Sequence, residues 1–377
     1  MLFIESQDKK VLPIASGKGG VGKSFVTANL GVVLASLGKR TIVVDLDLGG
    51  SNLHTYLGIK NRNLGIGHFL HNKNIDFRKL VVDTPYENLQ FVAGDVLVAG
   101  LGNILQSQRK SLISRIQKLE AEYILLDLGS GTSLNVLDFF LISNAGLVVT
   151  TPQPPSILNA YSLLKNSLFR LLQTEYSKAK RVSQYLKEVV KDRSPGSTPT
   201  ISQILTAVDA ISSKTGKEAR RLLSTYRPHL VVNMAGSPED VDIAESLRDL
   251  VWKNLEIDLG CLGMVFRDAA VDDAMQSLEP VTVADPDALA SFQIERIAQK
   301  IFQSPEFPLM PLDVEDYGDS YGLARIEAED DYAEIEDQMA ARETGVSEKD
   351  FMTIIAAQKR EIEELKGTVR MLTINQR

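Results

Sequence analysis

Cysteine occurs once in the 377 residues, as Cys261. A single thiol excludes a disulfide framework and a cysteine-ligated cluster within one subunit, and it fits a reducing cytoplasm. No apolar run reaches the roughly eighteen residues of a membrane-spanning helix. The N-terminus shows no basic segment leading into a long apolar run, so no secretory leader is expected. Positive charge is also short. Lys and Arg number 41 against 49 Asp and Glu, and the net charge of −8 argues against nucleic-acid binding by the chain as a whole. The rest is ordinary: 44% hydrophobic and 24% charged residues, enough for a sizeable core in one large α/β domain with something added.

The most informative stretch is S-G-K-G-G-V-G-K-S, Ser16 to Ser24. An apolar run, Val11 to Ile14, precedes it and a helix-like stretch, Phe25 to Leu37, follows. Strand, glycine loop and helix in that order are the context of a phosphate-binding loop. Glycines let the backbone turn tightly enough to aim successive N–H groups at one anion, and the helix N-terminus adds partial positive charge. The candidate nucleotide contacts are Gly17, Lys18, Gly19, Gly20, Val21, Gly22, Lys23, Ser24 and Phe25. Lys23 is placed to reach the β- and γ-phosphates and the Ser24 hydroxyl to bind Mg²⁺. A glycine-rich turn with no ligand is the bland alternative. Two further segments weigh against it: Arg40 to Asp45 and Tyr123 to Asp127 read as buried parallel strands closed by acids. Carboxylates at such strand ends lie where open α/β sheets bind ligands. Asp127, followed by Leu128-Gly129-Ser130-Gly131, has the Walker B arrangement, with a glycine-rich loop able to sense a γ-phosphate.

The form K-G-G-x-G-K-[ST], with Lys18 inside the loop, resembles the deviant Walker A loop of the MinD/ParA superfamily. That resemblance implies that Lys18 crosses a dimer interface to the partner's nucleotide, much as an arginine finger acts in trans. The run Asp45-Leu46-Asp47 and the following Leu48 to Leu53 are similar to the switch I region of MinD and of the flagellar-number regulator FlhG. On that likeness Asp47 orients the attacking water and Asp45 supports the Mg²⁺ shell. Thr151 to Lys165 resembles the same proteins, with Gln153 and Asn159 standing where acids are usual. Asn233, at the end of the apolar run from His229, is implied to bond the adenine edge; locally it reads equally well as a turn cap. The match continues to about Phe302.

Two regions lie outside this pattern. From Tyr161 to Leu230 there are thirteen Lys and Arg against five Asp and Glu, so the helical insert at about 168–227 is a basic region in an acidic protein. It is expected to offer a face to DNA, acidic lipid or an acidic partner, or to be simply solvated. From Pro311 to Ala340 eleven acids stand against one base, Arg325, and residues 303–346 read as a disordered acidic linker. Residues 347–377 read as a helix, with Ile355, Ile362 and Val369 at heptad spacing and Leu365 and Leu372 completing the seam of a short coiled coil.

The reading is therefore an α/β P-loop NTPase of SIMIBI type over residues 1–302, with a mostly parallel sheet flanked by helices. Its cofactors are ATP and Mg²⁺. The resemblance implies a slow, partner-stimulated cytoplasmic ATPase that forms an ATP-dependent homodimer and controls where other machinery is positioned or assembled. A protein partner is expected at the C-terminal helix or the basic insert. Peripheral contact with the inner face of the membrane and non-specific DNA contact both stay open, the latter as in a ParA-type partitioning ATPase. Nitrogenase-type reductases and glutaminase-bearing amidoligases need cysteines that this chain does not have in the required pattern.

Overall fold

Segments such as T-I-V-V-D-L and Y-I-L-L-D-L carry apolar side chains on both faces, which only a sheet covered by helices on each side can bury. A computed structural model, describing residues 9–60, 64–72, 74–94, 104–191, 199–303 and 314–343, shows that sheet. Its strands are β1 (Lys10–Ser16), β2 (Thr41–Leu46), β3 (Val81–Asp83), β4 (Leu89–Val92), β5 (Tyr123–Ser130), β6 (Leu147–Thr150), β7 (His229–Ala235) and β8 (Gly260–Phe266). They lie in the order β3-β4-β2-β5-β1-β6-β7-β8. Every neighbouring pair is parallel except β3 with β4.

The helices up to the insert are α1 (Lys23–Ser36), α2 (Leu53–Tyr56), α3 (Ile66–His71), α4 (Gln106–Ile116), α5 (Leu134–Phe140) and α6 (Pro154–Glu175). The insert adds α7 (Lys180–Lys191), α8 (Ile201–Ile211) and α9 (Ser213–Ser224). After it come α10 (Asp240–Leu255), α11 (Ala269–Ser277), α12 (Val281–Ala284), α13 (Leu289–Gln303) and α14 (Val314–Glu343). Helix α1 is buried nearly all round because it lies between the sheet and α13. That explains its sequence, F-V-T-A-N-L-G-V-V-L-A, which has no polar stripe to turn to solvent.

Parallel strands end on one side of the sheet, so the loops after β1, β2 and β5 converge. The register fixes how closely: Asp45 on β2 stands opposite Asp127 on β5, and Ile14 on β1 flanks Asp127 from the other side. Two carboxylates are thus neighbours across adjacent strands, directly beside the glycine loop.

The acidic stretch expected to be a disordered linker is instead helical, as α14 over Val314–Glu343. Composition misled because a few residues carry the docking. Tyr321 and Ala324 are buried, and the Tyr321 hydroxyl donates to the Leu259 carbonyl at 3.0 Å. Ser320 Oγ accepts from the Cys261 N–H at 3.1 Å, and Arg325 pairs with Asp242 and, at 3.2 Å, Glu245. The chain divides into two units after Ile326, and in the second the helix runs on to Glu343. The heptads of 347–377 lie outside the described residues.

Candidate nucleotide-binding site

The loop between β1 and α1 takes its shape from glycine. Gly20 and Gly22 have φ of 79° and 82°, left-handed values that cost other residues energy. Gly22 is also the residue before the first turn of α1, and a side chain there would strike the Asn233 amide. Lys18, Gly19 and Gly20 are exposed, and the Ser16 hydroxyl donates to the Lys18 carbonyl at 2.9 Å. The early lysine therefore stands exposed on a braced backbone.

Lys23 and Ser24 turn inward. Lys23 Nζ lies 2.5 Å from Asp127 Oδ1, and Ser24 Oγ donates to Asp127 Oδ2 at 2.6 Å. Lys23 is 7% exposed and Asp127 fully buried, so the pair sits where charge interactions are least screened. Thr27, one turn along α1 from Lys23, adds a 3.3 Å contact to Asp127 Oδ1. In this arrangement the Asp127 carboxylate occupies the two side chains that a phosphate loop uses on nucleotide and metal.

Asp45 is completely buried. Its Oδ2 accepts from Ser51 Oγ at 2.5 Å and from the Leu53 N–H at 3.1 Å, and its Oδ1 accepts from the Asp47 N–H at 3.1 Å. These bonds fold residues 45–53 into a tight turn that leads into α2. Burial, and then the nearby Asp127 charge, push the Asp45 carboxyl up to about 7, against the Ser51 and Leu53 hydrogen bonds and Lys23. Asp47 is half-buried beside Gly129. Burial raises its pKa too, with Asp127 adding to the shift and Lys23 opposing it.

Among the described residues, three carboxylates meet with Lys23 as the one cation bonded to them. The excess of buried negative charge suits a further cation. No group of three or more His, Cys, Asp or Glu side chains among the described residues converges on one metal position. A Mg²⁺ ion bound here would draw its remaining ligands from nucleotide phosphates, the Ser24 hydroxyl and water, which is how Mg²⁺ is usually held beside phosphates. The donor set fits a Mg²⁺–nucleotide.

The structure brings Lys18, Lys23, Ser24, Asp45, Asp47 and Asp127 to one place. Asn233 is there as well, but its Nδ2 donates to the Val21 carbonyl at 2.9 Å and the side chain is 3% exposed. Its visible work is to tie the end of β7 to the glycine loop. Gln153 stands at the N-cap of α6 without a side-chain cap bond, and Asn159 Nδ2 donates to the Pro155 carbonyl at 2.6 Å. The Asn159 backbone packs against Gly17, where any side chain would collide with it. Sequence reasoning missed Ser51 and Thr27. Thr27 was findable as the residue four after Lys23 on one helix face. Ser51 had only its place in a turn after an acid to mark it.

Strand, left-handed glycine loop, buried helix and strand-end carboxylates together define a P-loop nucleotide-binding protein. Comparison with known proteins narrows the class. Residues 7–166 match the family model described as ParA, NUBPL iron-transfer P-loop NTPase. The septum site-determining protein MinD of Helicobacter pylori is 30% identical over 184 residues, 48% of this chain and 66% of that protein. MinD of Bacillus subtilis is 26% identical over 310 residues, 82% of this chain and 94% of that one. MinD of Pyrococcus horikoshii, solved in complex with Mg-ADP, superposes with a TM-score of 0.53 at 18% identity, covering 81% of this chain and all of that one. The chain thus spans slightly under two thirds of the first of these relatives. The family model and these relatives together support the MinD/ParA superfamily of P-loop NTPases as the group this chain resembles.

Proposed function

We propose that this chain is a Mg²⁺-dependent ATPase that dimerises around ATP, hydrolyses it slowly, and acts as a switch controlling the positioning or assembly of other cellular machinery. The observation that carries this reading is the division of labour between two lysines. Lys23 is drawn inward onto Asp127, while Lys18 stands exposed on the same loop. A lysine that serves only its own nucleotide has no need to face outward. One that completes a partner's site does, and it supplies charge where the transferred phosphoryl develops it. Asp47, held beside Gly129 by the turn that Asp45 organises, orients the attacking water. Asp45 and Asp127 support the metal, and Asn233 bonds the adenine edge. The relatives' role in septum-site determination favours a positioning task over a metabolic one.

The experiment is Asp47→Ala. It should keep nucleotide affinity within about two-fold, lower turnover by about a hundred-fold or more, and hold the protein as a dimer in ATP. Turnover within a factor of two of the parent would remove Asp47 from the role.

A second reading, in which the switch rides on an anionic surface, is favoured by the insert. Arg170 and Arg227 are consumed in ion pairs with Asp138 and Asp258, and Arg220 pairs with Asp209. Lys178, Arg181, Lys187, Lys217 and Arg221 remain exposed. Reversing Lys217 and Arg221 to Glu should weaken binding to anionic vesicles or to duplex DNA, most at low salt. Affinity unchanged for both would leave the insert a packing element.

A further inference from the structure

Asp138 lies on α5, away from the glycine loop, and accepts three hydrogen bonds from two arginines. Its Oδ2 accepts from Arg109 Nε at 2.7 Å and from Arg170 Nη2 at 3.0 Å, and its Oδ1 accepts from Arg170 Nε at 2.6 Å. Arg109 comes from α4 and Arg170 from α6. Arg109 Nη1 makes two further bonds, to the Asn135 side chain at 3.0 Å and to the Ile104 carbonyl at 2.7 Å. The side chains are 8%, 15% and 19% exposed for Arg109, Asp138 and Arg170, so this cluster is largely desolvated. Buried ion clusters seldom add net stability over well-packed apolar residues, but they hold geometry tightly. Three helices are pinned at one point.

What they pin matters because α5 begins where the loop after β5 ends. Ser133 caps α5, its Oγ accepting from the Val136 N–H at 3.4 Å. Two residues earlier, Gly131, with φ of 85°, donates its N–H to the Ser16 carbonyl at 2.9 Å. Gly129 lies against Asp47, and Ser130 faces Gly19. The other end of the arrangement is α6, whose Asn159 backbone packs on Gly17. The cluster therefore joins the helix that leaves the γ-phosphate-sensing loop to the helix that backs the phosphate loop. α5 spans only Leu134–Phe140, so it transmits a displacement at Asp138 to Gly129–Gly131 with little slack.

We infer that Asp138 is a positioning residue for hydrolysis: by locking α5 to α4 and α6 through Arg109 and Arg170, it fixes Gly129–Gly131 against Asp47 and the glycine loop. This rests on reading Gly129–Gly131 as the loop that senses the γ-phosphate. A misplacement of about an ångström at a reacting centre can cost on the order of a hundred-fold in rate. Loosening one support should cost less.

The test is Asp138→Asn in the full chain, with a Mg²⁺–ATP analogue. Amide hydrogen exchange over residues 129–133 should rise by about ten-fold while β1 and α1 stay protected. ATP turnover should fall by about ten-fold with nucleotide affinity within about two-fold. The exchange readout does not depend on what the loop does in catalysis, so a failed reading of the loop shows as increased exchange with turnover unchanged. Exchange unchanged over 129–133, or affinity and turnover falling together with the melting temperature, would overturn the positioning role. Should Asp138→Asn fail to fold, Arg170→Lys keeps the charge while losing the two-point grip. It should give the same pattern at about two- to three-fold. Wild-type exchange in that variant would overturn the inference equally.

Discussion

Two regions of this molecule handle buried polar groups in opposite ways. At the ends of β1, β2 and β5, Asp45, Asp47 and Asp127 gather around one bonded cation, and Asp45 is pushed up to about 7 by burial and by its neighbour. At the outer edge of β8, side chains instead meet backbone groups. Ser320 takes the Cys261 N–H, Tyr321 and Lys300 serve the carbonyls of Leu259 and Leu262, and Gln293 takes the Phe266 N–H. The first region keeps an imbalance that a ligand would relieve. The second covers backbone groups on an edge strand that would otherwise be offered to another chain. Unbalanced buried charge marks a working site, and backbone groups met by side chains mark a structural seam.

The sharpest way to break this contrast is to remove the central cation. Lys23→Ala should abolish measurable nucleotide binding. Without nucleotide it should also destabilise the fold, by about 3–5 kcal/mol, because Asp127 is left buried without its partner. Titration with a fluorescent ATP analogue and urea melts read the two effects separately. Nucleotide affinity retained within ten-fold would contradict the inward role of Lys23.

The matching change at the seam is Tyr321→Ala. It removes a fully buried aromatic ring and leaves the Leu259 carbonyl without that donor. Loss of about 3–5 kcal/mol of stability is expected, with nucleotide affinity and turnover per folded molecule unchanged. A selective drop in affinity would show that the two regions are not independent.

The difference also accounts for what could be read in advance. The phosphate loop was legible because its chemistry admits few alternatives: glycines at 20 and 22 for left-handed backbone, lysine and serine for phosphate and metal. The parallel strands were legible from apolar runs closed by acids. α14 was not, because eleven acids in thirty residues describe what faces solvent and hide the few side chains, Ser320, Tyr321, Ala324 and Arg325, that fasten it. The bracing of Asn233 onto Val21 was equally hidden, since it joins residues 212 apart in the chain. The basic charge of the insert was visible, but the diversion of Arg170, Arg220 and Arg227 into internal pairs was not.

If the strand-end carboxylates are held out of balance until a Mg²⁺–nucleotide arrives, thermal stability against pH will register it. Asp45 binds a proton more tightly folded than unfolded, so between about 4 and about 7 the folded state carries the extra proton. Its contribution to stability therefore falls as pH rises through that window. His229, whose burial lowers its pKa to about 3, acts with the opposite sign below its ordinary value. Comparing wild type with Asp45→Asn cancels that background. The account predicts that, ligand-free, the variant gains several degrees in melting temperature over wild type between pH 5 and pH 8. With a saturating Mg²⁺–ATP analogue that pH-dependent gain should disappear, because cation and nucleotide stabilise the ionised carboxylate. A difference between the two proteins that is flat with pH without ligand, or equally steep with and without it, would contradict the account.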